Sequence, residues 1–372
     1  MDLRGWWWLW SQCPGLGVVR MRELQSVAIK QKLTLAELWT CSAEHLQQVL
    51  PWPESLLRKL QVYRGLMGGS PHVKVPVQAL LPIDPQWPDV LNQLSRPPMQ
   101  LFWKGNAALW PLLAARQGVA VVGTRAASPH GLRMAEEVGK VLAMGGWPVL
   151  SGLAEGIDAA AHRACLKEKG SPVAILGTPL NRVYPAQHAD LQLELQAAGL
   201  LISEQIGDAN VKRGYFAARN RLLVAMAQAV VVVECPKCSG ALITARIAQD
   251  LGCPVWVVPG DAMRSTAKGS NALLLQSAMP LLNPEDLVNS IGLGPLNLRK
   301  EKTSSLRIPF GQNQWANSQS FCDLIDALGD GASLSDLMLR LNCSSKELSA
   351  RLLQLELMGL VVAEQGMRWR LH

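Results

Sequence analysis

The chain has 372 residues, of which 49% are apolar and 17% are charged. This length predicts about two or three domains, and the composition excludes a disordered chain. Lys and Arg total 36 against 29 Asp and Glu, so the formal net charge is +7, which favours a polyanionic partner. Eight Cys in a chain of this length exclude a disulfide scaffold and indicate a reducing cytoplasm.

The sequence predicts no membrane or export segment. The apolar run Gly5–Trp10 is too short for a signal peptide, and no small-residue cleavage site follows it. The apolar run 225–233 is interrupted by Gln228 and closed by Glu234, so it is typical of a buried strand and not of a span of about 20 apolar residues. We therefore expect a soluble cytoplasmic protein that does not contact a membrane.

Residues 1–75 carry nine basic and five acidic side chains and show the pattern of short helices. The turn Pro14–Gly17 interrupts two helical patterns, and Ser42 is a predicted helix N-cap. A Pro-Gly-x-Gly turn resembles the hairpin of helix-hairpin-helix or SAM-like domains, whose glycine amides can meet phosphate, although a plain turn between two helices fits as well. Residues 68–71 have the composition of a linker. Six of the 13 Trp lie in this segment, and the sequence offers no explanation for the excess.

Residues 76–292 are predicted to form the central domain. Short apolar runs alternate with helical patterns: strands at 119–122, 147–150, 173–176, 200–202, 230–233 and 255–258, and helices at 131–144, 157–168 and 240–250. Strands that are apolar on both faces indicate a parallel sheet covered on both sides. The predicted fold is therefore α/β, a Rossmann-like doubly wound and mostly parallel sheet.

The C-terminal part is predicted to be a linker at 293–312 followed by a small domain at 313–372. Its three amphipathic helical patterns and a final pair of short strands around Gly366 are typical of a winged helix. Five basic and seven acidic side chains in this domain argue against reading of a DNA groove, so a protein contact is favoured.

Small polar residues follow three of the predicted strands. These residues are Gly123, Thr124 and Arg125 after the first strand, Ser151 and Gly152 after the second, and Ser239 and Gly240 after the fifth. Ligands of an open parallel sheet bind beyond the carboxyl ends of its strands, where helix N-termini offer free amides. The three loops together indicate a composite anion site.

A stretch without acidic residues lies between Asp208 and Glu234. Its cations are Lys212, Arg213, Arg219 and Arg221. Tyr215 and Phe216 lie among them, and cations interleaved with rings are typical of a single-stranded nucleic-acid groove. A solvated basic loop is the alternative.

The sequence gives little indication of cofactor binding, catalysis or metal binding. The loops lack the G-x-G-x-x-G and G-x-x-x-x-G-K-[ST] spacings, so no dinucleotide, ATP or other cofactor is predicted. Asp158 and His162 share a helix face, and a capping Asp with a hydrogen-bonded His is favoured over a catalytic or ligand pair. Cys235 and Cys238 have metal or redox spacing, but a structural pair is favoured because no second pair or His is near. No nucleophile–base set stands out, so we expect no enzyme and no metal site.

Several motifs resemble one family in order along residues 119–278. They are Val121-Val122-Gly123-Thr124-Arg125, Ser151-Gly152-Leu153-Ala154-x-Gly156-Ile157-Asp158 with His162, Tyr184-Pro185, Leu201-Ile202-Ser203-Glu204, Phe216-x-x-Arg219-Asn220-Arg221, Ser239-Gly240-x-Leu242-x-Thr244-Ala245, and Pro259-Gly260 with Gly269-x-Asn271. In this combination the sequence resembles the DNA-processing protein A family.

The resemblance implies a cytoplasmic single-stranded DNA-binding protein of natural transformation that forms a homodimer, protects incoming strands and helps to load the RecA recombinase. It implies that Arg125 grips phosphate, that Lys212 or Arg213 is the pocket cation and that Phe216 meets a base. Glu155 departs from the family, which usually has a basic residue there, and Asn181 and His188 replace a common Asp and Asn.

The predicted DNA-binding residues are Gly123, Thr124, Arg125, Ser151, Gly152, Lys212, Arg213, Phe216, Arg219, Asn220, Arg221, Ser239 and Gly240. Two of them, Arg219 and Arg221, either grip the DNA backbone or buttress the pocket. The alternative function is a nucleotide-processing enzyme that resembles the lysine-decarboxylase-like phosphoribohydrolases, with Glu234 as its carboxylate. A sensor of a free nucleotide is a third, weaker hypothesis.

Overall fold

A computed structural model describes residues 1–69, 71–207 and 212–297, and beyond these 324, 327–328, 331–341, 343–345, 348–349, 352, 356, 361–364 and 368–371. The chain divides into two compact units, Met1–Thr303 and Ser304–His372. Along the described residues, no helix is long and apolar enough to cross a membrane.

The first unit is built on a sheet of nine strands. The strands are β1 (Ala79–Leu80), β2 (Leu101–Gly105), β3 (Gly118–Val122), β4 (Val149–Ser151), β5 (Pro172–Leu176), β6 (Leu200–Ser203), β7 (Ala227–Val232), β8 (Val255–Val257) and β9 (Met279–Pro280). Their order is β1-β2-β6-β5-β4-β3-β7-β8-β9. β1 and β2 pair antiparallel, as do β2 and β6, and the other neighbours are parallel. The prediction of a mostly parallel α/β sheet is confirmed.

The helices of the first unit cover both faces of this sheet. They are α1 (Leu3–Ser11), α2 (Val18–Gln31), α3 (Leu35–Thr40), α4 (Ala43–Val49), α5 (Glu54–Met67), α6 (Trp110–Ala114), α7 (Pro129–Met144), α8 (Ile157–Lys167), α9 (Ala189–Ala198), α10 (Arg213–Ala218), α11 (Asn220–Ala225), α12 (Gly240–Asp250), α13 (Lys268–Leu273) and α14 (Pro284–Ile291). Every residue of β3 is buried, as expected for a strand with helices on both sides. From β3 the chain moves outward through β4, β5 and β6 and then returns to β7 on the other side of β3. The strand order therefore reverses between β3 and β7, which is where open α/β sheets bind ligands.

The N-terminal helices α1–α5 belong to the same unit, and their buried Trp side chains are part of one of its hydrophobic clusters. Trp10 is fully buried, and its ring centre lies 5.1 Å from that of Trp39 in an edge-on arrangement. Its Nε1 donates to the Leu35 carbonyl at 3.0 Å. Trp8 lies edge-on to Phe102 of β2 at 6.1 Å, so the helices and the sheet share one hydrophobic cluster. The Trp excess therefore has a structural explanation. A helical N-terminal region is confirmed, whereas its boundary at residue 75 and its SAM or helix-hairpin-helix character stay predictions.

The second unit contains a small antiparallel sheet of β10 (Ala332–Ser333), β11 (Val361–Glu364) and β12 (Arg368–Leu371) in the order β10-β12-β11, with helix α15 (Leu334–Leu341) after β10. β11 and β12 are the predicted terminal strand pair. The winged helix stays a prediction, because much of 313–372 lies outside the described residues. Most of the predicted linker at 293–312 also lies outside the described residues. In its described part, the Gly294 amide donates to the Gly145 carbonyl at 2.7 Å.

Candidate nucleic-acid interface

A cavity of about 550 Å³ lies beyond the carboxyl ends of β3 and β7. Three predicted loops contribute to its lining: Gly123, Thr124 and Arg125 after β3, Ala154 and Asp158 after β4, and Ser239 and Gly240 after β7. Phe216, Arg219 and Asn220 line it from the helices that precede β7. The structure thus brings the loops and part of the basic stretch to one place, at the reversal of strand order.

Close packing of the loops fixes the shape of the cavity. Gly156 has φ +74°, and a Cβ there would collide with the Thr124 carbonyl. A Cβ on Gly152 would overlap the guanidinium of Arg219. Only glycine therefore allows the β4 loop to lie against the β3 loop and over this arginine.

Arg219 is a buried cation in the cavity wall. Its Nη1 donates to the Gly152 carbonyl at 2.9 Å, its Nε donates to Asn220 Oδ1 at 2.9 Å, and its Nη2 lies 3.8 Å from Asp158 Oδ2. Burial lowers the pKa of Arg219 to about 10, an effect that Asp158 opposes and the charge of Arg125 reinforces, so the group is still a cation at neutral pH. Burial likewise raises the pKa of Asp158, against the charge of Arg219 and the amides of Ala154 and Gly152. These contacts favour the buttressing alternative for Arg219.

Arg221 and Ser151, which the sequence also predicts as site residues, do not line the cavity. The Arg221 guanidinium forms a bidentate pair with Glu204, both contacts at 2.6 Å, and donates through Nε to the Arg96 carbonyl at 2.7 Å. The Ser151 hydroxyl is buried and donates to the Val121 carbonyl at 2.6 Å. Both side chains make their hydrogen bonds within the protein. For Arg221, these contacts favour the alternative that it buttresses the pocket.

Arg125 is the exposed cation of the cavity. Its guanidinium lies 5.4 Å from the centre of the Phe216 ring and 5.9 Å from that of Tyr184, and the two rings are 5.0 Å apart. Within the described part of the chain, it makes no hydrogen bond or ion pair. Two aromatic faces therefore hold a charge that is free to bind an anion.

Sequence reasoning missed Tyr184 as a site residue. Tyr184 is 41% exposed and belongs to the connection between β5 and α9, next to the cis Tyr184–Pro185 bond. The Tyr184-Pro185 motif was the one sequence feature that pointed to this residue. Tyr215, which the sequence placed beside Phe216, is not among the residues that line the cavity.

The N-terminus of α12 also lines the cavity. Ser239 caps the helix by accepting from the Ala241 amide at 3.2 Å, and Gly240 is exposed at the first helical position. Asn220 Nδ2 donates to the Gly240 carbonyl at 3.4 Å and so ties α11 to this turn. Free amides at a helix N-terminus beside an unpaired arginine favour a phosphate ligand.

The choice between Lys212 and Arg213 as the pocket cation is still open. Lys212 is exposed at the N-cap of α10. Arg213 begins α10, but its side chain and residues 208–211 lie outside the described residues. Both residues stay predictions.

Glu234, the carboxylate of the alternative enzyme, does not line the 550 Å³ cavity but a separate one of about 330 Å³. It is buried and accepts from the Ser128 amide at 3.1 Å, from the Ser128 hydroxyl at 2.7 Å and from the Thr266 hydroxyl. The carboxylate therefore anchors the start of α7.

The expected hydrogen-bonded histidine is wrong. His162 is fully buried, and neither ring nitrogen has a hydrogen-bond partner among the described residues. Burial, reinforced by the charges of Arg219 and His188, lowers the pKa of His162 to about 3, so the ring is neutral at neutral pH. The Asp158 carboxylate instead accepts from the Gly152 amide at 3.1 Å.

The cysteine pair is divided between core and surface. Cys235 is buried, and burial raises the pKa of its thiol to about 12, whereas Cys238 is exposed at the cavity. No group of three or more metal-ligating side chains occurs in the part of the chain that the structure describes.

Comparisons with known proteins agree with this geometry. Residues 78–292 match the family model described as DNA recombination-mediator protein A. The chain is 30% identical to protein Smf of Synechocystis over 99% of this chain and 98% of that protein, and 31% identical to protein Smf of Escherichia coli over 94% and 93%.

Two solved structures share the fold. DNA processing protein A of Streptococcus pneumoniae is 26% identical with a TM-score of 0.59, covering 77% of this chain and 95% of that chain. The Helicobacter pylori protein, described for its single-stranded DNA binding mode, is 28% identical with a TM-score of 0.51, covering 59% of this chain and 98% of that chain. The chain belongs to the DNA recombination-mediator protein A family.

Proposed function

We propose that this protein binds single-stranded DNA in the cavity between β3 and β7, protects incoming strands during natural transformation and helps to load the RecA recombinase. The observation that carries the proposal is the free Arg125 guanidinium over Phe216 and Tyr184, beside the N-terminus of α12. A cation and helix amides suit phosphate, and exposed rings suit bases that are not stacked in a duplex. The relative from Helicobacter pylori, which binds single-stranded DNA, supports the same assignment.

The test is a fluorescence anisotropy titration with a single strand and a duplex of equal length. We expect the single strand to bind more tightly, because a flexible strand can enter the cavity and turn its bases toward the rings. The logarithm of the binding constant should fall against the logarithm of the salt concentration with a slope of about −0.7 per phosphate contact. Equal affinity for both DNAs, or a flat salt response, contradicts the proposal.

The position of Glu234 supports a non-enzymatic role. Its carboxylate is engaged by Ser128 and Thr266, so it is not available to a nucleotide in the cavity. A nucleoside monophosphate hydrolysis assay beside the titration separates the two functions. Turnover that Glu234→Gln abolishes would favour the phosphoribohydrolase alternative.

The partners and the compartment belong to the same proposal. We propose a cytoplasmic homodimer that contacts RecA, as the family assignment suggests. Light scattering on the purified protein measures its mass in solution, and a RecA filament assay on coated single strands measures loading. A monomeric mass, or no effect on filament formation, contradicts the corresponding part.

A further inference from the structure

A small cleft of about 40 Å³ lies beside Arg125 and the two rings that contact it. Its lining includes Tyr184, Phe216 and one acidic side chain, Glu155. A carboxylate beside a phosphate-binding cation weakens the attraction for every strand, whatever its sequence. A favourable contact of this carboxylate with a donor group of the ligand would offset that cost.

Glu155 is not a counterion of the cavity. It is exposed and takes part in none of the ion pairs that the described residues form. Its Oε1 accepts from Nε2 of Gln187, which is also exposed. No residue that the structure describes donates to its second oxygen. The amide thus orients the carboxylate and leaves acceptor oxygens at the rim of the cleft.

We propose that Tyr184, Glu155 and Gln187 form a base-reading slot that selects guanine in a bound single strand. Tyr184 supplies the face on which the base stacks, and Glu155 with Gln187 supplies acceptors for its Watson–Crick edge. This inference rests on the proposed function, because the slot acts only on a strand that the neighbouring cavity holds.

Guanine is the base whose edge matches a carboxylate. It presents the N1–H and N2–H donors side by side, so the two oxygens of Glu155 accept in parallel. Thymine presents one N–H between two carbonyls, and these oxygens repel the carboxylate. Adenine and cytosine each present an amino group beside an acceptor nitrogen. The slot therefore ranks guanine first and thymine last.

The experiment is a competition titration with three single strands of equal length: oligothymidylate, the same strand with isolated guanines, and that strand with inosine in place of guanine. Isolated guanines prevent four-stranded structures. For the wild-type protein we expect guanine strands to bind about tenfold more tightly than oligothymidylate. Inosine lacks the N2 amino group, so its strand should lie between the two.

Variants distinguish recognition of guanine by Glu155 from simple repulsion between its negative charge and the DNA. In Glu155→Gln the guanine preference should disappear, and oligothymidylate should bind more tightly than to the wild type because a negative charge is gone. Glu194→Gln on α9 is the matched control, since Glu194 is exposed and lines neither cavity. It should keep the guanine preference. Tyr184→Leu should weaken binding of every strand by removing the stacking face.

The outcomes are distinguishable. Tight binding of oligothymidylate with no guanine preference overturns the slot and leaves the proposed function intact. A preference that Glu155→Gln retains, while all strands gain by the same factor, also overturns it, since Glu155 then acts by repulsion alone. Failure of every single strand to bind overturns the proposed function itself.

Discussion

Two regions of this protein place an arginine over aromatic rings, and they use the arrangement differently. In the N-terminal helices, Arg64 lies 6.0 Å from the Trp39 ring, and its Nη2 donates to the Cys41 carbonyl at 2.6 Å. Trp39 is buried, with 2% of its surface exposed. At the cavity, Arg125 is exposed and lies over Phe216 and the half-exposed Tyr184. Arg64 therefore packs against a core side chain, whereas Arg125 is free to bind a ligand.

The comparison shows that aromatic content alone does not indicate a stacking surface. The N-terminal Trp side chains fill space between helices and sheet, where their area is removed from water on folding. Among the described residues, two rings lie beside Arg125, those of Phe216 and Tyr184, and both are at least partly exposed to solvent. Exposure and an unpaired neighbouring cation distinguish a binding ring from a structural one.

The largest expected effect separates the regions by stability. Trp10→Ala removes a fully buried ring and its hydrogen bond to Leu35, so the free energy of unfolding should fall by about 3–5 kcal/mol. Urea unfolding followed by circular dichroism measures the change. Phe216→Ala, at a half-buried ring, is the comparison and should cost about 1 kcal/mol or less. Unfolding of Trp10→Ala at the wild-type urea concentration would contradict a structural role for the Trp cluster.

The next effect concerns affinity. Phe216→Ala should weaken single-stranded DNA binding by about 1–3 kcal/mol, because one stacking face is lost. The salt dependence should stay the same, since no phosphate contact is removed. Tyr215→Ala is the matched control, as the adjacent ring does not line the cavity. If both variants bind equally well in the anisotropy titration, the base does not stack on Phe216.

The sequence predicted the central sheet because its strands are buried on both faces. β3, β5 and β7 are apolar runs between helical patterns, and their parallel pairing follows from that alternation. β1 and β9, at the two edges of the sheet, were missed because each has two residues, and β2 was missed because it joins the sheet by antiparallel pairing with β1 and β6. Such edge pairing depends on tertiary contacts that no local pattern encodes.

The site was predictable where a single loop defines it. Arg125 and Gly240 belong to the connections that follow β3 and β7, so topology places them at the carboxyl edge of the sheet. Tyr184 and Gln187 belong to the connection between β5 and α9, and their contacts with Arg125 and Glu155 depend on tertiary packing. The partners of Arg219 and Arg221 lie on other elements, so the sequence left their roles open.

The smallest expected effect tests the two arginines directly. Arg125→Ala should weaken binding of all strands by about 1 kcal/mol at moderate salt and make the salt slope shallower by about 0.7, the contribution of one phosphate. Arg64→Ala removes the same charge from the same kind of ring contact, so it controls for net charge and for the cation–ring pair. It should lower stability by exposing the Trp39 edge and leave the salt slope unchanged. An equal change of slope in both variants would mean that Arg125 acts through the overall field of the protein and not through contact with a phosphate.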